Sequence, residues 1–287
     1  MSSVARRVEV CPVCASPDFR PARRRGPLTF GACGKCGLAY VQPLVEDDDP
    51  TVAGSQSIRT WDEYTRNMLA MHQRRAESAR PLARARKEFY ERTLGRPLES
   101  LLDVGCGDGA FCVAFRELGV DWAGLDINPE VTAFTKEIGL PIELGDFTQR
   151  PVERQFEVIF SSQVLEHCLN PHEYLAKARE TLTPGGLLHL DVPNHNGLVP
   201  TLRKLNPWGA HYGFLQPPYH MLAYTRPVLH GLLESAGYEV LICNAYDVCH
   251  PIFGQVQREL SAPARLAFRL TGWLGRGSLL VAVARPR

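Results

Sequence analysis

The chain has 287 residues, and its 32 Lys and Arg residues nearly balance 31 Asp and Glu residues, which gives a net charge of +1. This balance predicts no general attraction to nucleic acid or to anionic membranes, and the longest apolar runs are too short to span a bilayer. The length allows a large core together with a small appended domain.

Four cysteines near the start of the chain form two C-x2-C pairs, Cys11 with Cys14 and Cys33 with Cys36. Each pair can direct two thiolates at one metal, and together they supply the tetrahedral set that structural zinc prefers. Rubredoxin-type iron and disulfides are the alternatives. Because the first residues contain no apolar secretory segment, we expect a reducing cytoplasm and free thiols. The spacing therefore predicts a zinc ribbon over residues 1–45.

Basic residues cluster within the ribbon and again over residues 74–87. The ribbon cluster, expected in a loop, comprises Arg20, Arg23, Arg24 and Arg25. Such clusters can hold RNA phosphates. Glutamates at positions 77 and 88 interrupt the second cluster, which is typical of a solvated helix face. We therefore favour a small-molecule substrate over nucleic acid.

The segment between the ribbon and the next motif is expected to form a linker and a helical cap over residues 46–95. The acidic, proline-ended stretch Glu46–Pro50 predicts an exposed linker. Apolar residues follow at helical spacing from Trp61 to Leu94, and Pro81 predicts a break between two helices.

A glycine-rich turn follows the apolar run that begins at Leu101. Gly105, Gly107 and Gly109 allow the backbone to turn sharply after a strand and to approach a ligand with no Cβ in the way. A second strand ends at Asp126, whose carboxylate can accept hydrogen bonds from a ribose diol. The two features predict a nucleotide-type cofactor site, and a nicotinamide dehydrogenase would share them.

Strands and helices alternate through the rest of the chain. A third acidic strand end falls at Gly145-Asp146-Phe147. Thr225 and Gly237 bound a helix with leucines on one face. Further strands are predicted over residues 156–160 and 186–192, from residue 238, and over residues 277–284.

These segments together resemble the class I S-adenosylmethionine-dependent methyltransferases. Val164-Leu165-Glu166-His167 and Thr183-Pro184-Gly185-Gly186 look like signatures of that family rather than of a dehydrogenase. The resemblance implies an α/β, Rossmann-like, seven-stranded domain over residues 96–287, with the last strand antiparallel at the sheet edge. The segment from Pro217 to Thr225 is similar to the small-molecule branch that includes ubiquinone-type O-methyltransferases.

The same resemblance assigns the cofactor site. It places the methionine and ribose end of S-adenosylmethionine at the glycine turn, the ribose at Asp126 and the adenine beside Asp146. The residues expected to contact the cofactor are Asp103, Gly105, Cys106, Gly107, Asp126, Ile127, Asp146, Phe147 and Ser162.

Candidate catalytic residues follow the fourth strand and the loop near residue 220. His167 is expected to act as general base, because an imidazole titrates near neutral pH. Glu166 is expected either to orient that imidazole or to help shape the site by accepting a hydrogen bond from a substrate hydroxyl. His220, next to Tyr219, is expected to contact the substrate. Some ubiquinone-type relatives hold a divalent cation with a Glu-x-x-Glu-His motif. Gln163 replaces the first glutamate here, so an active-site metal is not predicted.

The sequence predicts an enzyme that methylates a small molecule, at oxygen, possessing a structural zinc ion. Three alternatives stay open: an rRNA or tRNA methyltransferase that binds RNA through the ribbon, a sugar C-methyltransferase, and a non-catalytic binding module. The insertion over residues 245–276 is expected to serve as a lid or a dimer contact, and the oligomeric state is not predicted.

Overall fold

The computed structural model describes residues 4–6, 8–46, 61–205, 212–217, 220–255 and 262–287. The ribbon strands are β1 (Val4–Arg6), β2 (Phe19–Arg25), β3 (Leu28–Cys33), β4 (Ala39–Gln42) and β5 (Leu44–Glu46). Strands β1 and β5 pair antiparallel, and β2, β3 and β4 form consecutive antiparallel pairs. The prediction that the ribbon arginines lie in a loop is wrong, because they lie on the edge strand β2, where charged side chains discourage further pairing. Residues 47–50 of the predicted linker lie outside the described ranges.

One long helix, α1 (Trp61–Leu94), replaces the two helices predicted around Pro81. It packs against α2 (Ala110–Glu117). Ala79 and Ala83, on either side of the proline, are fully buried. A proline removes one helical hydrogen bond, and the packing of both flanks holds the helix continuous.

Seven strands form the large sheet: β6 (Ser100–Val104), β7 (Asp121–Asp126), β8 (Ile142–Leu144), β9 (Phe156–Ser162), β10 (Leu182–Pro193), β12 (Tyr238–Tyr246) and β13 (Leu279–Pro286). Their order across the sheet is β12-β13-β10-β9-β6-β7-β8. Strands β10, β9, β6, β7 and β8 are parallel, so their carboxyl ends meet at one edge. The helices after α2 are α3 (Pro129–Glu137), α4 (Pro171–Thr181), α5 (Leu198–Leu205), α6 (Arg226–Ser235) and α7 (Ala262–Trp273).

The last strand, β13, is antiparallel as expected, but its predicted place at the sheet edge is wrong. It pairs with β10 on one side and with β12 on the other, so β12 forms the edge. Residues 279–284 of β13 are all buried, whereas most of β12 is partly or fully exposed. Because β13 is covered on both faces and paired on both sides, residues 279–284 are apolar without alternation.

The ribbon and the large sheet share one hydrophobic core. A short strand, β11 (Leu222–Ala223), pairs antiparallel with β4 and extends the ribbon sheet, so a segment distant in sequence completes it. Leu38 and Tyr40 of the ribbon are buried in the same cluster as Leu229 of α6. The domain boundaries at residues 45 and 95 stay predictions. The shared core does not separate the ribbon from the large sheet at residue 45.

Arg86 of α1 belongs to the cluster assigned to a solvated helix face, yet its side chain is fully buried. Its guanidinium donates hydrogen bonds to the carbonyl oxygens of Ile252, at 3.0 Å, and Gly254, at 2.7 Å. It also lies 4.7 Å from the ring centre of Phe111 and 4.6 Å from that of Phe160. The flat, weakly hydrated guanidinium can be accommodated between aromatic faces while it donates these bonds.

Among the described residues, no helix is both long enough and apolar enough to cross a bilayer.

Candidate active site

The glycine turn lies at the carboxyl edge of the sheet, between β6 and α2. Gly105, Gly107 and Gly109 have φ angles of +72°, +54° and +73°, a region that favours glycine. The backbone N–H groups of Gly105 and Cys106 donate to the carbonyl oxygen of Leu125, which ties the turn to β7. The backbone thus forms an open cradle of the kind that approaches a nucleotide closely.

Asp126 closes β7 beside this turn. Its Oδ2 accepts a hydrogen bond from the Gly107 N–H at 2.8 Å, and its Oδ1 accepts one from the Asn128 N–H at 2.9 Å. The neighbouring Ile127 is 57% exposed although it is strongly apolar. A carboxylate held at the turn next to an exposed apolar side chain suits a ribose and the ring attached to it.

Asp103 and Cys106 lie deeper, beneath the turn. Asp103 is buried, and burial raises its pKa to about 8, although Arg86 opposes the shift. The side chain of Cys106 packs with Cys112 and Ile142 in a small cluster. The cofactor contact that the resemblance assigns to Cys106 stays a prediction, because its thiol packs in this cluster and its backbone groups bond to Leu125 and Gly109.

Asp146 and Phe147 follow the end of β8, and Ser162 is the last residue of β9, which extends two residues beyond its predicted end. Asp146 accepts hydrogen bonds from the backbone N–H and the hydroxyl of Thr148, both at 2.8 Å. Phe147 is buried, with its ring centre 5.1 Å from that of Tyr174. Its side chain therefore belongs to the wall behind the site.

Three candidate catalytic residues come together at this edge, although residues 168–219 separate two of them from the third. Glu166 and His167 lie in a single 3₁₀ turn after β9, and the ring centres of His167 and His220 are 4.8 Å apart. One carboxylate oxygen of Glu166 and one nitrogen of each histidine lie within 4.8 Å of one another. His220 also lies 3.2 Å, through Nδ1, from the carbonyl oxygen of Phe214. Tyr219 lies outside the described residues.

Glu166 is the most unusual of the three. Its side chain is 1% exposed, and neither carboxylate oxygen has a hydrogen-bond partner in the described part of the molecule. Burial raises its pKa to about 8. A buried polar group of this kind is costly unless something else satisfies it, so its orientation toward two imidazoles indicates a functional site.

Asp191 and Gln163 are site residues that the sequence reasoning missed. Asp191 is fully buried near the end of β10 and accepts hydrogen bonds from Ser162 Oγ, at 2.7 Å, and from the Gln163 side chain, at 3.1 Å. Burial raises its pKa. Gln163 has a φ of +58°, which is strained for a residue with a Cβ. An acid ending the apolar strand Leu187–Leu190 was the signal available for Asp191, whereas nothing in the sequence marks the strain.

The four predicted metal ligands form a second site within the ribbon. Cys11 Sγ lies 3.6 Å from Cys36 Sγ, and Cys14 Sγ lies 3.5 Å from Cys33 Sγ. All four sulfur atoms lie within 4.8 Å of one another and none forms a disulfide. Tetrahedral zinc with bonds of about 2.3 Å would place its thiolates about 3.8 Å apart. The cluster fits such an ion.

The electrostatics of these thiols are uneven. Burial raises the pKa of Cys11 to about 11 and that of Cys36 still further. For Cys33, burial also acts to raise the pKa, but hydrogen bonds from the backbone N–H groups of Cys36 and Lys35 outweigh it and lower the pKa to about 7. Backbone donors of this type stabilise thiolates in metal-binding knuckles.

Comparison with known families agrees with this geometry. Residues 71–242 match the family described as "Methyltransferase domain". The chain therefore belongs to this methyltransferase family. The match covers the glycine turn, the strand ends at Asp126 and Ser162, and the Glu166–His220 region.

Curated relatives include enzymes named ubiquinone biosynthesis O-methyltransferase. The protein of Cereibacter sphaeroides (strain ATCC 17025) is 32% identical over 118 residues, which cover 37% of this chain and 48% of the relative. That of Methylobacterium nodulans is 32% identical over 160 residues, which cover 50% of this chain and 62% of the relative. The chain thus spans about half the length of the curated relatives that it matches.

Solved structures share the fold at low sequence identity. The plantazolicin methyltransferase BpumL, solved in complex with SAH, has a TM-score of 0.53 at 15% identity, covering 77% of this chain and 90% of that chain. A possible histamine N-methyltransferase from Thermotoga maritima has a TM-score of 0.50 at 16% identity, covering 80% and 97%. These similarities confirm the predicted Rossmann-like methyltransferase fold.

The glycine turn provides a test of the cofactor site. A Cβ at Gly105 would collide with the side chain of Val164, whereas a Cβ at Gly119 would meet no described atom within 4 Å, although both glycines have positive φ angles. We expect Gly119→Ala to lose about 1–2 kcal/mol of unfolding free energy from backbone strain, and Gly105→Ala to lose more, because the side chain of Val164 must also shift. Gly105→Ala alone should also weaken S-adenosylmethionine binding at least tenfold by calorimetry. Equal affinity in the two variants would remove the turn from the binding site.

The raised pKa of Glu166 leads us to expect that the stability of the protein depends on pH. Its pKa is raised in the folded state, so its protonated form stabilises the fold at low pH, and this contribution is lost as the pH rises toward about 8. Between pH 5 and 8 the unfolding free energy of the wild type should fall more steeply than that of Glu166→Gln, by about 1.4 kcal/mol per pH unit. Urea unfolding at several pH values measures both slopes. Parallel slopes would show that Glu166 ionises normally in the fold.

Proposed function

We propose that the protein is an S-adenosylmethionine-dependent methyltransferase that methylates a small molecule at oxygen. The observation that carries this proposal is the buried, unpartnered carboxylate of Glu166 beside His167 and His220, at the same sheet edge as the glycine turn. Family membership supports methyl transfer, and the names of the curated relatives support an oxygen acceptor.

S-adenosylmethionine is the proposed donor, and it would supply an activated methyl group for in-line displacement. The complex of BpumL with SAH supports this cofactor for the shared fold. In this chain, Asp126 would hold the ribose hydroxyls and Ile127 would cover the adenine. Asp103, Gly105 and Gly107 would border the methionine end, and the wall formed by Phe147 would keep water from one side.

The acceptor would lie against the histidines. His167 is proposed to take the proton from the acceptor hydroxyl, and His220, 4.8 Å away between ring centres, to position the acceptor. Glu166 would orient one imidazole through a hydrogen bond to its N–H. Positioning supplies much of the barrier reduction in a displacement of this kind, so the joint placement of these side chains matters more than the basicity of one of them.

Structural zinc is proposed for the Cys11, Cys14, Cys33 and Cys36 cluster. Four thiolates would complete its coordination and leave no open position for catalysis. The ion would stiffen the ribbon, whose strand β4 pairs with β11, and β11 begins two residues after His220. The backbone N–H of Val41 also donates to the carbonyl oxygen of Met221 at 3.2 Å. The ribbon would thereby hold the segment that carries His220.

Methylation of RNA through the ribbon is less well supported by the contacts of the basic residues. Arg86 is buried, Arg80 pairs with Glu117 at 2.7 Å, and Arg20 pairs with Asp18 at 3.0 Å. These pairings satisfy part of the positive charge that the RNA alternative needs, so we place a small-molecule acceptor first.

The acceptor class can be tested by incubating the protein with methyl-labelled S-adenosylmethionine and either total RNA or a small-molecule extract of the source cells. We expect label in an extractable small molecule. His167→Ala should then lower turnover at least about 100-fold, with cofactor affinity within about twofold. His230→Ala changes a half-buried histidine on α6 that contacts Glu234; this variant is the matched control and should keep full turnover. Label in nuclease-sensitive material would contradict the proposed substrate class.

Metal content tests the ribbon proposal. We expect elemental mass spectrometry to find zinc in the wild type and in Cys249→Ser, whose thiol is outside the cluster, but not in Cys33→Ser. Because the ribbon and the large sheet share a core, loss of the ion should also lower the thermal midpoint of the whole protein. It should lower turnover as well, through the segment at His220. Iron in place of zinc, or a Cys33→Ser variant that retains its metal, would contradict the assignment.

A further inference from the structure

Helix α5 exposes an apolar face. Leu198, Leu202 and Leu205 follow the i, i+4, i+7 spacing of one helical side, and all three are exposed, Leu205 to 74%. Val199 next to them is exposed as well. An uncovered stripe of this length on a surface helix is unusual, because such faces are normally packed against the core.

Helix α7 repeats the pattern. Leu266, Leu270 and Trp273 share one side of the helix by the same spacing rule, Leu274 directly follows the last helical residue, and all four are exposed. Trp273 is 84% exposed, although tryptophan is highly buried on average. Tryptophan is also the side chain enriched where a protein meets the interface between lipid and water.

The two helices approach each other at the active-site edge of the sheet. The backbone N–H of Leu198 donates to the carbonyl oxygen of Arg276 at 3.2 Å, and the Arg276 side chain donates to the carbonyl oxygen of Asn196 at 3.1 Å. α5 follows the carboxyl end of β10, where Pro193 pairs with Leu279 of β13. The start of α5 and the segment after α7 therefore lie together beside the carboxyl end of β10.

Cationic residues frame these faces. The guanidinium of Arg23 on β2 donates to the carbonyl oxygen of Lys204 at 2.9 Å, which places the basic edge strand of the ribbon against the end of α5. Arg203 of α5 and Arg269 of α7 are exposed next to the apolar residues. Although the net charge of the whole chain is near zero, positive charge is in excess around α5 and α7.

The sequence shows how far this excess extends. Residues 19–45, 192–233 and 260–287, which contain β2, α5 and α7, include no aspartate or glutamate. Because the chain as a whole carries a net charge of only +1, the remaining segments are acidic on balance. The segments that carry the apolar helix faces therefore hold an excess of positive charge.

We propose that the surface formed by α5, α7 and the β2 edge docks the protein on an anionic lipid bilayer. Exposed leucines and a tryptophan can enter the boundary between headgroups and acyl chains, while a surrounding rim of arginines attracts anionic headgroups. The combination distinguishes a bilayer from RNA, which would use the cations but not the leucines. Docking at this edge would present the mouth of the site to the lipid, and the inference stands independently of which acceptor is methylated.

Vesicle flotation with the full chain tests this proposal. The probes are vesicles of phosphatidylcholine alone and of phosphatidylcholine mixed with phosphatidylglycerol. We expect binding to the mixed vesicles and little to the neutral ones, with binding weakened on going from about 0.1 M to about 1 M salt, as screening predicts. Leu202→Ser combined with Leu270→Ser should lower the partition coefficient about 100-fold, or about tenfold per leucine.

Two sets of matched variants sharpen the test. Arg203→Glu combined with Arg269→Glu should lower binding to the mixed vesicles at least tenfold. Leu144→Ser on β8 and Lys136→Glu on α3 are the controls. Both residues are exposed but lie outside the proposed docking surface, so these variants should bind vesicles as the wild type does. All these positions are exposed, and equal thermal midpoints would verify that each variant is folded.

Three results would overturn the proposal. The first is absence of vesicle binding by the wild type, and the second is equal binding by the Leu202→Ser, Leu270→Ser variant. The third is a solution dimer, seen by analytical ultracentrifugation, that this double variant dissociates, because it would identify a second copy of the chain as the occupant. RNA binding by the same surface without vesicle binding falls under the first of these results.

Discussion

The withdrawal of carboxylates from water at one edge of the sheet is the constraint on which the rest of the structure depends. Asp103, Asp191 and Glu166 are all buried there, and burial raises the pKa of each. The Arg86 guanidinium opposes that shift for Asp103 and Asp191. Removing such charges from water is expensive unless partners compensate. Arg86 supplies part of this compensation for the two aspartates, whereas neither carboxylate oxygen of Glu166 has a hydrogen-bond partner among the described residues.

Much of this edge was predictable because its signals are local. A strand, a glycine turn and a helix follow one another within a few residues, so Gly105 and Asp126 could be placed from sequence alone. The burial of Arg86, the continuity of α1 through Pro81 and the inner position of β13 could not, because each depends on packing between distant segments. Glu166 and His167 were recognisable after their strand, whereas the approach of His220 required the chain to fold.

The ribbon illustrates the same distinction between local and distant information. Its cysteine spacing predicts a metal cluster, and the four sulfur atoms do come together. Its role in the whole molecule depends on the pairing of β4 with β11, which no spacing rule reveals. Through that pairing the cysteine cluster, the shared core and the segment beginning at His220 become parts of one structure. The ribbon is thereby joined by backbone hydrogen bonds to the segment that follows His220.

The central claim is that the sheet edge binds S-adenosylmethionine, and calorimetric titration of the purified protein with its demethylated product, S-adenosylhomocysteine, tests this claim most directly. A parallel titration with NAD⁺ addresses the dehydrogenase that shares the glycine turn and the ribose acid. The account predicts saturable binding of S-adenosylhomocysteine at one site per chain and no heat from NAD⁺. Binding of NAD⁺, or of neither compound, would contradict it.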